Sequence, residues 1–374
     1  MSKKVNINRK NIEGYYCNKV VVIGLGQLGL PVAKYVKEKG FDTYGYDINS
    51  KAMENAESNF GIKKATTFKD FDVLIICVST HVPNDIFSPQ TDGLMSVVEK
   101  ISREAKTGAL ISIESTIPKG TSKKVFEKVD HRLHVVHAPH RWYALEEKEH
   151  GVNQLRIIGG VSNCCLQYGL RFYDGSPSSV DSSSLSSAAA DDNNKVILFD
   201  PAAVDPASTA AASLVPSSAV PYISSSAAAI SSDGSSINGK GITRPSLVIP
   251  MHPVSSIEVA ELTKIIENAH RYLQIAFAEE LYLYCRVNGI SFTELRESLN
   301  TKWNVDILEP RDGIGGHCLP KDTRMFINSS NTIRSKILQA AMEIDESYRE
   351  YIQNRDSKDN SCPLLIKRAS NQAY

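Results

Sequence analysis

Residues 313–323 read Gly-Ile-Gly-Gly-His-Cys-Leu-Pro-Lys-Asp-Thr. The thiol of Cys318 follows paired glycines, Gly315 and Gly316, which let a backbone and a ligand approach closely. A cysteine attacks only as thiolate, and nearby cations or a helix N-terminus favour that form. His317 and Lys321 could supply positive charge, while Asp322 could orient a water or stabilise a neighbouring cation. Taken singly, a free cysteine is more often a small core hydrophobe. Its reading as a nucleophile rests on the residues found elsewhere in the chain.

A second chemical stretch lies near the N-terminus. Residues 19–23 (Lys-Val-Val-Val-Ile) run straight into Gly24-Leu25-Gly26-Gln27-Leu28-Gly29, a helical pattern follows to Gly40, and a strand at 43–46 ends at Asp47. Strand, glycine loop, helix, strand and acid in this order form a dinucleotide site. Gly24 makes the tight turn, Gly26 admits the pyrophosphate, and Gly29 allows close helix–strand packing. Asp47 stands where an acid would bond the ribose hydroxyls of NAD and repel a 2′-phosphate, so NAD is the expected cofactor.

These groups need a frame. Strand patterns at 71–78, 109–113, 133–136 and 155–158 alternate with helical patterns at 95–101 and 118–129. That alternation predicts a doubly wound, Rossmann-type parallel α/β sheet. Ligands bind beyond the C-terminal strand ends, which is where Thr80, Glu114, Thr116 and the segment His137 to Arg141 fall. Cys77 sits within an apolar strand and reads as core. Residues 174–238 are rich in Ser, Ala and Pro, with seven Asp against one Lys, Lys195. Such a composition reads as a flexible surface insertion in which only 195–199 could be a strand. Beyond it, 255–288 carries the longest helical signal, about 50 Å if continuous. Its apolar face predicts a linking helix and a homodimer interface, and it sets Lys264 and Asn268 four residues apart on one face. A short helix at 290–299 and a late one at 337–352 complete a mostly α-helical second domain. The expected division is a 1–17 extension, an 18–168 NAD-binding domain, a 169–249 insertion, a 250–355 helical domain and a 356–374 polar tail.

Lys+Arg and Asp+Glu both number 42, which argues against nucleic acid as a partner. Seven cysteines lie without zinc-like spacing and without a secretory signal, as expected of a cytoplasmic protein with reduced thiols and no metal. No run of 18 apolar residues occurs, so no membrane span is expected.

Several motifs in sequence resemble the nucleotide-sugar 6-dehydrogenases, which oxidise UDP-hexoses or UDP-N-acetylhexosamines to uronic acids. They are Gly24 to Pro31, Gly45 to Asn49, Cys77 to Thr80 with Thr91-Asp92, Glu114 to Thr121, Arg156 to Gly160, Glu258 to Asn268 and Gly315 to Asp322. The resemblance covers 18–161 and 250–350. It implies two oxidations with two NAD molecules, linked by a thiohemiacetal and a thioester on Cys318. Lys264 and Asn268 match the family's oxyanion-stabilising pair, and Asp322 and Thr116 match residues that orient water or the base. Gln27, Leu28, Thr80 and Glu114 are expected around NAD, and Arg141, Gly315, Gly316 and Lys321 around the UDP-sugar. The His317-Cys318 pairing leans towards N-acetylhexosamine substrates. Two departures stand out. Ala138-Pro139-His140-Arg141 replaces the family's Ser-Pro-Glu-Arg, so His140, or else Glu146 or Glu147, is expected to replace the glutamate used in hydrolysis. The family's C-terminal UDP-binding domain has no visible counterpart after Asp322. A two-electron hydroxy-acid dehydrogenase and a catalytically idle NAD-binding protein are the alternative readings.

Overall fold

The computed structural model describes residues 17–80, 89–141, 151–175, 246–329 and 334–354. The expected strand at 195–199, Glu146, Glu147 and nearly all of the 174–238 insertion lie outside them.

The β-branched run after Asn18 forms β1 (Lys19–Ile23). It is followed by α1 (Gly29–Glu38), β2 (Asp42–Tyr46), α2 (Ser50–Phe60), β3 (Lys63–Lys64), β4 (Val73–Ile76) and α3 (Asp92–Glu104). Then come β5 (Leu110–Ile113), α4 (Thr121–Lys128), β6 (His134–His137), β7 (Arg156–Gly160), α5 (Asn163–Tyr173) and β8 (Met251–Pro253). Among the described residues the sheet runs β3-β2-β1-β4-β5-β6-β7-β8. Strand order reverses between β1 and β4, which opens the crevice where such sheets take ligands. Strands β1, β4 and β5 are buried on both faces. Val20, Val22, Val73 and Ile75 pack towards α1 and α5, and Val21, Ile23, Leu74 and Ile76 towards α3 and α4.

The doubly wound Rossmann-type sheet is as expected, with three corrections. β7 pairs antiparallel to β6, so the sheet is not wholly parallel. Helix α5 continues to Tyr173, past the expected domain edge at 168, and its Leu170, Phe172 and Tyr173 are core. The last strand, β8, comes from beyond the insertion and pairs parallel to β7. Leu247 and Ile249, just before it, are buried in the same core, and the Tyr35 hydroxyl donates to the Leu247 carbonyl at 2.9 Å.

The helical part holds α6 (Ile257–Asn288), α7 (Phe292–Asn300), α8 (Cys318–Ile327) and α9 (Lys336–Asn354). Ser256 caps α6, its side chain accepting from the Val259 amide, and Gly289 ends it in the left-handed region. At 32 residues α6 is about 48 Å long. It meets the sheet domain through Glu261, a fully buried carboxylate that accepts from the Gly120 amide at 2.6 Å and the Ser122 amide at 2.8 Å. Those amides open α4, where the helix dipole favours an anion. Gly159 lets α6 approach β7, since a Cβ there would meet the Ile257 Cα at 2.8 Å. No helix among the described residues is long and apolar enough to cross a membrane.

Candidate active site

The glycine loop after β1 is built for close contact on one side and left open on the other. Gly24 has φ +88°, and a Cβ there would lie 2.8 Å from the Cys77 carbonyl oxygen. A Cβ on Gly29 would come within 1.6 Å of the Gly24 carbonyl oxygen, so any side chain is excluded. Gly26 is exposed, with nothing within 4 Å of a Cβ position. Leu28 precedes α1 without a side-chain cap, and Gln27 is exposed. The first amides of α1 therefore face the loop without a side-chain acceptor at the cap, which suits a pyrophosphate. Asp47 lies at the end of β2, where its Oδ2 accepts from the Leu25 amide at 2.6 Å and its Oδ1 from the Asn49 amide at 2.8 Å. The carboxylate thus fixes the loop and keeps lone pairs for a ribose hydroxyl. Gly24, Gly26, Gly29 and Asp47 fit an NAD molecule.

Glu114, at the end of β5 and expected near the cofactor, is engaged inside the fold. Its side chain is fully buried, with Oε2 3.0 Å from Arg156 Nη1 and 3.0 Å from His140 Nε2, and Oε1 accepts from the Tyr173 hydroxyl at 2.6 Å. Tyr173 also shares a 2.6 Å hydrogen bond with Ser112. Burial alone would raise the Glu114 pKa, but Arg156, His140 and Tyr173 together bring it down to about 2. His140 is 6 % exposed. Burial, followed by the Arg156 charge, pushes its pKa down to about 4. It faces Glu114, and its burial makes it a weak base. Arg141 is likewise engaged: its guanidinium pairs with Glu267 on α6 and donates to the Leu155 carbonyl at 3.2 Å. Tyr173 escaped notice in the sequence, and Arg156 entered only as the head of a motif, with no role assigned. A lone arginine heading an apolar strand was the available signal.

The cysteine segment is helical from Cys318 onward. Cys318 is the first residue of α8, with His317 at the cap position. Pro320 is tolerated because the first turn needs no donor. The helix N-terminus therefore lies at the thiol, where the dipole favours thiolate. One turn on, Asp322 and Lys321 are buried. Asp322 Oδ2 accepts from the Asn268 amide group on α6, and its Oδ1 lies 3.4 Å from Lys321 Nζ. Lys321 also donates to the Thr80 hydroxyl at 3.1 Å, and that hydroxyl donates to the Thr116 carbonyl at 2.8 Å. Lys321, expected on the substrate, braces α8 against the ends of β4 and β5. Thr80 is part of the same brace.

Lys264, one turn before Asn268, forms no hydrogen bond or ion pair among the described residues. It lies close enough to the Cys318 thiol to favour its ionisation. The thiol is solvent-accessible yet set in a bowl of protein. That enclosure and Asp322 raise its pKa, while Lys321 and Lys264 act to lower it. The segment before Cys318 is held from α9. Asp345 Oδ1 accepts from the Ile314 amide at 2.9 Å, Oδ2 accepts from Tyr272 of α6 at 2.8 Å, and the Tyr348 hydroxyl donates to the Arg311 carbonyl at 2.7 Å. Gly316 has φ +73°, and both Gly315 and Gly316 are exposed with nothing within 4 Å of a Cβ. The arrangement gathers an accessible thiol, an unpaired ammonium, an amide and a carboxylate beside the strand ends. It can form and break a covalent bond to a carbonyl carbon.

Two models of one family match the chain. The NAD binding domain of the UDP-glucose/GDP-mannose dehydrogenase family matches residues 51–175, and its central domain matches 258–347. A UDP-N-acetyl-D-mannosamine dehydrogenase of Methanococcus maripaludis is 25 % identical over 362 residues, across 91 % of this chain and 68 % of its own length. One from Campylobacter jejuni is 26 % identical, across 91 % and 74 %. The solved UDP-D-ManNAc dehydrogenase of Pyrococcus horikoshii superposes with TM-score 0.63 at 23 % identity, covering 90 % of this chain and 70 % of that one.

Proposed function

The chain belongs to the UDP-glucose/GDP-mannose dehydrogenase family, and from that premise we propose that this NAD-dependent enzyme oxidises the C6 alcohol of a UDP-N-acetylhexosamine to the carboxylate through a thioester on Cys318. The carrying observation is the accessible thiol at the N-terminus of α8 beside Lys264, which is unpaired among the described residues. The relatives from Methanococcus and Campylobacter act, by name, on an N-acetylhexosamine, which supports the substrate class.

Gly24, Gly26, Gly29 and Asp47 would hold NAD. When bound, NAD accepts a hydride from C6 in each of the two oxidations. The chain's own residues do the rest. The Cys318 thiolate adds to the aldehyde carbon, forming a C–S bond and an oxyanion. Lys264 and the second amide hydrogen of Asn268, the first being held by Asp322, stabilise that oxyanion. After the second oxidation C6 is a thioester. A water, oriented by Asp322 and Thr116, adds to it, and the C–S bond breaks to release the acid and restore the thiol. Gly315 and Gly316 leave room for the sugar beside the thiol.

Counting NADH against product with a panel of UDP-sugars tests this reading. Two NADH per uronic acid is expected. One NADH per keto product would instead favour a hydroxy-acid dehydrogenase, a class with the same fold: the Mycobacterium tuberculosis 3-hydroxyisobutyrate dehydrogenase superposes with TM-score 0.50 at 11 % identity. We further place a homodimer along α6, where Val259, Ile266, Phe277, Tyr284 and Val287 stand exposed. Light scattering that finds only monomer at high micromolar concentration would refute the dimer.

A further inference from the structure

At the N-terminal end of β6, away from the C-terminal strand ends beside Cys318, three ligating side chains converge. His134 begins β6, and Cys164 and Cys165 lie in the first turn of α5, whose N-terminus returns beside β6. One ring nitrogen of His134 and the two sulfurs all lie within 4.8 Å of one another. The imidazole is 7 % exposed, and its Nδ1 has no hydrogen-bond partner. Its plane is set by Tyr168, stacked at 4.7 Å and 21°, whose hydroxyl accepts from the Cys17 thiol at 3.4 Å. Ser162 caps α5 and places its Oγ 3.1 Å from each sulfur.

We propose that His134, Cys164 and Cys165 bind a single thiophilic d10 cation, Zn2+ or Cu+. Soft thiolates with an imidazole select such ions, and three protein ligands leave a further position open. That position faces solvent, because Ser162 and Asn163 at the rim are exposed. Binding replaces thiol protons with the ion. Tyr168 holds the imidazole as an outer partner holds a metal-bound histidine. No part of the dehydrogenase reaction uses these residues.

Titration of the full-length protein with Co2+, anaerobically and with a thiol-free reductant, tests the site. Expected are one Co2+ per chain, a thiolate-to-cobalt charge-transfer band, and release of protons on binding. Cys164 is only partly buried, so Cys164→Ser should fold and melt as the ion-free wild type does. Its affinity should fall further than the roughly 10–100-fold typical of losing an outer partner. Cys318→Ala should bind as the wild type. Zn2+ should raise the melting temperature of the wild type and not of Cys164→Ser. Displacement of Co2+ by Zn2+ and by Cu+ in parallel ranks the two ions. Binding without the sulfur band, or equal binding by Cys164→Ser, overturns the proposal.

Discussion

Two clusters of polar side chains lie near the C-terminal strand ends, and they are finished differently. Around Glu114 the carboxylate meets Arg156, His140 and Tyr173, all sealed from solvent. Around Cys318 the half-buried Asn268 and the buried Asp322 and Lys321 hold one another, while Lys264, with no partner among the described residues, and the thiol remain accessible. A charge satisfied inside the fold gives its interaction energy to the native state. A charge left unsatisfied keeps it for a reacting group. Motif position alone put both clusters in the active site, but among the described residues only the second has solvent-accessible groups to offer a substrate.

The contrast predicts that variants of the two clusters fail in different measurements. Cys318→Ser should lower acid formation by roughly three orders of magnitude or more while the urea midpoint stays put; mass spectrometry of slowed turnover should show the adduct only on the wild-type thiol. Arg156→Met should do the reverse. It leaves Glu114 as an uncompensated buried carboxylate and should cost about 3–5 kcal/mol in urea unfolding, with kcat per folded enzyme changing far less. Lys264→Met should reduce kcat about 10²–10³-fold and leave the melting temperature within a degree or two, because Lys264 has no partner to lose among the described residues. Equal destabilisation by Arg156→Met and Lys264→Met would erase the distinction.

Glu279 sharpens it from the other side. This buried carboxyl of α6 has neither oxygen hydrogen-bonded. Burial, with Asp345 nearby, pushes its pKa up to about 8, against a smaller lowering by Arg349. A folded pKa above the unfolded one, about 4.3, means that the contribution to stability is complete below the unfolded value. It is lost as pH rises through about 8. Between pH 5 and 8 the wild type should lose about 1–3 kcal/mol relative to Glu279→Gln. Parallel stability–pH curves would show that Glu279 is ionised in the fold.

Much of this was legible in the sequence because it depends on near neighbours. Gly24, Gly26 and Gly29 announce the loop through their spacing, and Lys264 and Asn268 share a face by helical period. The hidden parts depend on distant partners or on mixed local signals. Glu114 meets Arg156 only after the chain has crossed α4 and β6, and Tyr173 only after β7 and α5 as well. Gly-Gly before Cys318 and Pro320 after it read as a loop, although a first helical turn accepts Pro. Helix α5 carries Gly169 at its middle, which weakens any helical pattern. The structure supplies the reason for that glycine: a Cβ would meet Ile158 at 2.8 Å and Val136 at 2.9 Å. Met251-His252-Pro253 is too short for any period to show.

The late arrival of β8 bears on how the protein is made. Chains emerge from the ribosome at about 5–20 residues per second. The 93 positions between Gly160 and Pro253 therefore keep β7 an uncovered sheet edge for about 5–20 s. Bringing the ends of the intervening segment, residues 176–245, together costs about 4 kcal/mol of chain entropy. An unpaired edge is a template for other strands. During biosynthesis that window, rather than the finished fold, is when this chain is most open to a wrong partner. Shortening the segment should raise the yield of native enzyme most where synthesis is slowest.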